Sequence, residues 1–180
     1  EVRGMGNRPL VVPTDVTNEE SVSSMMAAAI AEFGGVDVLV NNVGSFVADG
    51  EKRTIVNMGL DLWEKLLKVN VTSQFLCCKA FIAHVLDQGK KGSIVNISSL
   101  AGLVPYEASI GYGAAKAGVI SITQTVAAEY GMKGIRANCI APGSMATTMV
   151  AQLISGDPND IEGTKARLAK FSPLNGRPGL

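Results

Sequence analysis

From Gly92 to Gly143 the chain reads GSIVNISSLAGLVPYEASIGYGAAKAGVISITQTVAAEYGMKGIRANCIAPG, and this stretch decides the fold. Ser93 to Ser98 (SIVNIS) is a short run dominated by β-branched residues between turn residues, the mark of a buried strand. Tyr112 to Tyr130 is helical by composition, with Val119, Ile122 and Val126 recurring at i, i+3 and i+7. Ile135 to Ala141 (IRANCIA) is a second strand, ended by Pro142-Gly143. A strand, a long helix and a strand in that order make a parallel crossover unit.

The same rhythm extends toward the N-terminus. Leu10-Val11-Val12 reads as the end of a strand. Thr17 with Glu20 three residues on forms a capping box, opening a helix that carries Val22, Met25, Met26, Ala29, Ile30 and Phe33. Gly34-Gly35 stops it, and Val36 to Val40 (VDVLV) is the next strand. Asp61 is the candidate cap of a long helix containing Trp63, Leu66, Leu67, Phe75 and Phe81, with Gly89 and Gly92 at its exit. The expected architecture is an α/β, doubly wound parallel sheet of Rossmann type, with helices on both faces. It is expected to be incomplete at both ends. No strand, glycine-rich turn and helix open the chain, as pyrophosphate binding requires, and no strand follows Arg177-Pro178-Gly179-Leu180. Residues 1–180 thus read as one partial domain. Within it, the polar tail from Ser155, with Pro158, Pro173 and Pro178, reads as a substrate flap and a truncated end spanning 154–180.

Composition narrows the function. The 180 residues are 47% hydrophobic, enough for one sizeable core, with 16 basic and 16 acidic side chains. That balance argues against nucleic acid or an anionic membrane surface as a partner. No run reaches the roughly 18 uninterrupted apolar residues of a membrane span, so a soluble, cytoplasmic protein is the expectation. Cys77, Cys78 and Cys139 are too few and too poorly spaced for a disulfide framework or a zinc site, and read as buried thiols in a reducing compartment. His84, the lone histidine, has no acidic or nucleophilic neighbour in sequence and reads as a packing residue, which weakens any Ser-His-Asp arrangement.

Chemistry concentrates where strands end. In Tyr112-Gly-Ala-Ala-Lys116 a phenol and an ammonium lie four apart on one helix face. A free tyrosine has a pKa of about 10, and a fixed positive charge beside it favours the phenolate. Gly113, Ala114 and Ala115 leave that face open to a flat ligand. Ser98-Ser99 ends a strand, thirteen residues before Tyr112 counted from Ser99, where parallel sheets border their ligand crevice. One of the two serines is expected to do no more than shape the turn. Asn41-Asn42-Val43-Gly44 ends another strand, with Gly44 permitting close approach of backbone to ligand. Asn70 is a polar residue in a mostly apolar helix. Pro142-Gly143 and Thr147 follow the last strand, where the plain reading is a turn and a helix cap.

In order and placement these features resemble the compact branch of the short-chain dehydrogenase/reductase family. The resemblance covers roughly residues 10 to 150, with an echo at Leu174 to Leu180 (LNGRPGL). It implies that Tyr112 exchanges the substrate proton and that Lys116 binds the nicotinamide ribose and lowers the tyrosine pKa. Ser99 would hold the substrate oxygen, and Asn70 would anchor a water linking the lysine to solvent. Asp15 and Val16 would sit near the adenine. Asn42, Val43 and Gly44 would support the cofactor, with Pro142, Gly143 and Thr147 at its nicotinamide end.

The implied reaction is reversible hydride transfer between NAD or NADP and a secondary alcohol or ketone. The choice of cofactor is unreadable, because the residues that set it are absent from this sequence. Val43 departs from the alanine usual in the family's NNAG motif. Ser45 to Met58, long for the family, and Leu103 to Ile110 would shape the substrate pocket. The family also implies a homotetramer or homodimer built on the helices holding Trp63 to Phe81 and Tyr112 to Tyr130. Two alternatives stay open at this point: a catalytically inactive fragment, and a cofactor-binding scaffold that has lost catalysis.

Overall fold

Among the described residues, three strands, β1 (Val38–Asn41), β2 (Gly92–Ile97) and β3 (Ile135–Ile140), pair in that order, all parallel. Val38 lies opposite Ser93, and Gly92 opposite Ile135. The computed structural model describes residues 6, 8–46, 54–105 and 110–170. The expected echo at 174–180 and parts of both pocket-shaping loops lie outside them.

Among the described residues, six α-helices connect and flank the strands: α1 (Glu19–Phe33), α2 (Leu60–Leu67), α3 (Ser73–Asp87), α4 (Ile110–Tyr130), α5 (Thr148–Ser155) and α6 (Ile161–Ala169). The strands β1 to β3 and the helices α1 and α4 follow the sequence reading with bounds shifted by one or two residues, while the helix read as one from Asp61 is divided into α2 and α3. Caps differ more. Asn18, not Thr17, caps α1 by accepting from the Ser21 N–H at 2.8 Å. Thr17 is diverted to the Asp15 carboxylate, which accepts from both its N–H and its hydroxyl. The long middle helix starts from Gly59 without a side-chain cap, and Asp61 lies inside its first turn. Gly34 ends α1 at φ 79°, a left-handed conformation that glycine adopts without strain. Leu10 to Val12 forms no ladder, having no neighbouring strand among the described residues.

The core is one cluster. Val22 and Met26 of α1, Phe81, Ile82 and Val85 of α3, and Val126 of α4 pack on Leu39, Ile94 and Ile135 of the sheet. Phe81 sits so close to β2 that a Cβ on Gly92 would fall 2.9 Å from its ring. These helices share one face of the sheet. On the other, Val38 and Val40 are 57% and 59% exposed and Ile140 is 52% exposed. Of the two helix layers of a doubly wound sheet, the described residues supply one. The stretch Leu60–Asp87 is long and apolar enough to cross a membrane, but its buried side chains serve this core.

The described part of the tail, through Lys170, forms helix α6, which its polar composition did not foretell. Asp160 caps α6 by accepting from the Gly163 N–H at 3.0 Å. Thr164 and Leu168 of α6 are buried, as is Ala151 of α5, and the two helices pack together. His84 plays the expected structural part, its Nε2 accepting from the Val36 N–H at 3.3 Å. Cys77 and Cys78 are buried free thiols, and Cys139 is half-buried.

Candidate active site

Because the strands are parallel, their carboxyl ends share one edge, and most of the residues singled out in the sequence gather there. The segment after β1 is tied down by Asn70. Between α2 and α3 the backbone takes one π-turn over Lys68–Thr72, a local widening of the helix that is frequent at functional sites. It holds Asn70 wholly buried. The Asn70 amide donates to the carbonyls of Ser45 (2.7 Å) and Leu66 (2.9 Å), and its oxygen accepts from the Ser45 N–H (3.0 Å). Both N–H groups and one oxygen lone pair of this buried side chain are thereby used.

Lys116, in α4, is 4% exposed, and its ammonium donates to the Ile97 carbonyl at the end of β2 (2.9 Å). The amide of Gln74 reaches the same carbonyl at 3.2 Å. Burial pulls the Lys116 pKa below the ordinary lysine value, with Cys139 opposing weakly. The ammonium lies 5.6 Å from the centre of the Tyr112 ring, within cation–π range. Tyr112 is half-buried, its ring tilted against Phe46 at 6.0 Å. Gly44 completes the group: a Cβ there would come 3.0 Å from the Asn70 oxygen and 3.1 Å from the Lys116 nitrogen. Gly44, Asn70, Lys116 and Tyr112 are therefore brought together.

Ser99 stands at the start of the single turn Leu100–Gly102, in extended backbone, its Oγ accepting from the Ala101 N–H at 3.2 Å. The flanking residues extend the sheet ladder: the Ser98 N–H donates to the Ile140 carbonyl, and the Leu100 N–H to that of Pro142, each at 2.8 Å. This fixes Pro142 beside the serine turn. Gly143 is exposed, with nothing within 4 Å of where its Cβ would be. Thr147 caps α5, its Oγ1 accepting from the Val150 N–H at 3.3 Å, which is the plain reading of that residue. Asn42 and Val43 are exposed. Asp15 is exposed; its hydrogen bonds from Thr17, with a lesser contribution from Lys68, hold its carboxyl below the usual carboxylate range. Val16 is half-buried against the core.

Sequence reasoning missed two supports of this edge. Phe46 and Ser45 line a cavity of about 270 Å³ with Leu62, Lys65, Leu66 and Val69. Behind the edge, the Asn41 amide donates to the Asn96 oxygen (2.9 Å), the Asn96 amide to the Thr123 hydroxyl (2.9 Å), and Thr123 to the Val119 carbonyl (2.7 Å). Period-2 alternation in β1 and β2 would have turned both asparagines inward.

The short chain dehydrogenase family matches residues 1–158. Cis-4-hydroxycyclohexanecarboxylate dehydrogenase of Sinomonas cyclohexanicum is 41% identical over 165 residues, covering 92% of this chain and 63% of that one. A candidate short-chain dehydrogenase/reductase from Burkholderia xenovorans superposes with a TM-score of 0.85 at 36% identity, over 99% of this chain and 66% of the other. ElxO with NADP bound superposes with a TM-score of 0.78 at 32% identity, over 92% and 63%. The chain thus spans just under two thirds of the length of this curated relative. With a family match across the sheet and its helices, and the same fold in both solved structures, the chain belongs to the short-chain dehydrogenase family.

Proposed function

We propose that this chain carries the catalytic edge of an NAD(P)-dependent oxidoreductase that interconverts a secondary alcohol and a ketone. The observation behind this reading is the buried Lys116 ammonium beside the Tyr112 ring, with Gly44 and Asn70 packed against it. The residues present suit a nicotinamide dinucleotide. The open backbone at Gly143 leaves room along one edge, and exposed Asn42 offers an amide. Asp15 and Val16 would face the adenine, Asn42 to Gly44 the middle, and Pro142, Gly143 and Thr147 the nicotinamide end. The bound nicotinamide supplies hydride exchange at the substrate carbon.

In the oxidative direction Tyr112, as phenolate, takes the hydroxyl proton while the carbon gives up hydride; in reduction the phenol returns it. Lys116 stabilises the phenolate by charge and would also hold the nicotinamide ribose. Ser99 donates a hydrogen bond to the substrate oxygen, which requires its Oγ to keep accepting from Ala101 while its proton turns outward. Asn70 holds the Ser45 segment and a water on the path between Lys116 and solvent. The similarity to a hydroxycyclohexanecarboxylate dehydrogenase makes an alicyclic secondary alcohol the first substrate to try. A homodimer or homotetramer through α2, α3 and α4 is part of the proposal; Phe75 of α3, 49% exposed, suits such a contact.

The test is Tyr112→Phe in the full-length protein. Binding of NADH or NADPH, followed by fluorescence, should persist, while turnover of cis-4-hydroxycyclohexanecarboxylate falls by roughly 10² to 10⁴. Turnover that survives the substitution would remove Tyr112 from the mechanism.

A further inference from the structure

The sequence places two serines at the end of β2, and the structure separates them. Ser98 continues the inward register of Gly92, Ile94 and Asn96 and is 3% exposed. Its hydroxyl donates at 2.7 Å to the main-chain carbonyl of Lys116. That carbonyl lies inside α4, and its second lone pair lets it take this bond beside its helical one. The preceding residue, Ile97, holds the other end of the same lysine by accepting from its ammonium at 2.9 Å. Two consecutive residues of one strand end therefore grip Lys116 by backbone and by side-chain tip.

Gly102 seats the same turn of α4. A Cβ there would lie 2.7 Å from the Lys116 carbonyl carbon and 2.8 Å from the Ala117 nitrogen, both backbone atoms that cannot swing aside. The residue thus lets the Leu100–Gly102 turn abut the helix directly. Ser98 is itself fixed, since its N–H donates to the Ile140 carbonyl of β3.

We infer that Ser98 is a positioning residue, which with Gly102 locks the Lys116 turn of α4 onto the end of β2 and so sets where the lysine ammonium stands relative to Tyr112. The role rests on the function proposed for Tyr112 and Lys116, but its test does not need turnover. Removing the hydroxyl frees the helix turn by one buried hydrogen bond. The ammonium, spanning from a loosened backbone to a fixed acceptor, then leaves Ile97 more often.

The experiment is competitive acetylation of the full-length protein with acetic anhydride, read lysine by lysine by mass spectrometry. Exposed Lys133 and Lys170 serve as internal references. Lys116 should be the slow site in the parent. In Ser98→Ala its rate should rise by roughly three- to tenfold relative to the references, the range one buried hydrogen bond supports. Ser98→Thr, which keeps the hydroxyl, should restore protection. Gly102→Ala, made in parallel, should raise the Lys116 rate as well.

An unchanged Lys116 rate in a cooperatively melting Ser98→Ala protein would overturn the inference. So would loss of the melting transition in Ser98→Ala, because the hydroxyl would then hold the whole fold rather than one helix turn. The outcomes separate cleanly from the proposed function. If Tyr112→Phe keeps its turnover, the mechanism fails while the acetylation result stands. If Tyr112→Phe is inactive and Lys116 protection ignores Ser98, only the positioning role is lost.

Discussion

The ammonium of Lys116 is bound to the carbonyl of Ile97, 2.9 Å away, so a charge stands at the point where the central strand ends and the proposed ligand edge begins. The arrangement is electrostatically costly, since burial lowers the lysine pKa and a single carbonyl replaces the water that would otherwise solvate the charge.

The pH dependence of stability should expose that cost. The folded pKa of Lys116 lies below the ordinary value of 10.5, mainly through burial. The unfolded chain therefore binds this proton more readily than the folded one. The stabilising contribution is present above the unfolded pKa and is lost as pH falls through the folded pKa. Melting temperatures of the parent and of Lys116→Met, compared from neutral pH up to about 10.5, should diverge in the parent's favour as pH rises. A difference that stays flat would show that Lys116 titrates like a solvated lysine.

Gly44→Ala probes the same charge from the β1 side. The new Cβ would sit 3.0 Å from the Asn70 oxygen and 3.1 Å from the Lys116 nitrogen, tight enough that one must give. Asn70 is held by three hydrogen bonds and Lys116 by one, so the lysine should be the group displaced. Urea unfolding should show a loss of about 1 kcal/mol. On the proposed cofactor site, a displaced Lys116 loses a contact of about 1 kcal/mol, so NADH or NADPH should bind about fivefold more weakly. Unaltered affinity for both would place the cofactor away from Gly44.

How far the sequence carried the reading depends on whether local geometry or distant packing decides a position. Tyr112 and Lys116 were legible because four residues on a helix fix a shared face, whatever surrounds it. The strand ends at Asn41, Ser98 and Pro142 were legible because turn residues follow short apolar runs. The cap of α1 was not, because Asp15 competes for Thr17 and leaves Asn18 to serve the helix. Helix α6 escaped notice because its polar composition gives a weak pattern, and it is settled by packing of Thr164 and Leu168. Ser98 and Ser99 look alike in sequence, yet alternation along β2 distinguishes them, since Ser98 falls on the inward parity.

Cys78 should make the fold sensitive to alkali. Burial raises its pKa from 9.0 to about 11, with bonds to Asn96 and Asn41 pulling the other way. A raised folded pKa gives stability that is full below the unfolded value of 9.0 and lost as pH climbs through about 11. The stability of the parent relative to Cys78→Ala should therefore shrink across that interval. At neutral pH a thiol reagent should reach half-buried Cys139 first, while Cys77 and Cys78 react only on unfolding. Rapid labelling of Cys78 in the folded protein would contradict the buried assignment.

Asn96 offers the sharpest test of how the ligand edge is supported. It is wholly buried, takes a hydrogen bond from Asn41 and gives one to Thr123, so it links β1, β2 and α4 behind the site. Asn96→Ala leaves the Asn41 amide with only a weak thiol acceptor, the Cys78 sulfur at 3.4 Å. The cost should be about 2–3 kcal/mol, the loss expected when a buried donor is orphaned. Thr123→Val removes the other partner; it orphans one Asn96 N–H, while the Val119 carbonyl keeps its hydrogen bond within the helix, so its cost should be smaller. In a double-mutant cycle the two substitutions should couple by more than about 0.5 kcal/mol. Additive losses would mean that the backbone ladders and apolar packing hold the strands and α4 without the polar chain behind Lys116, which would then be incidental.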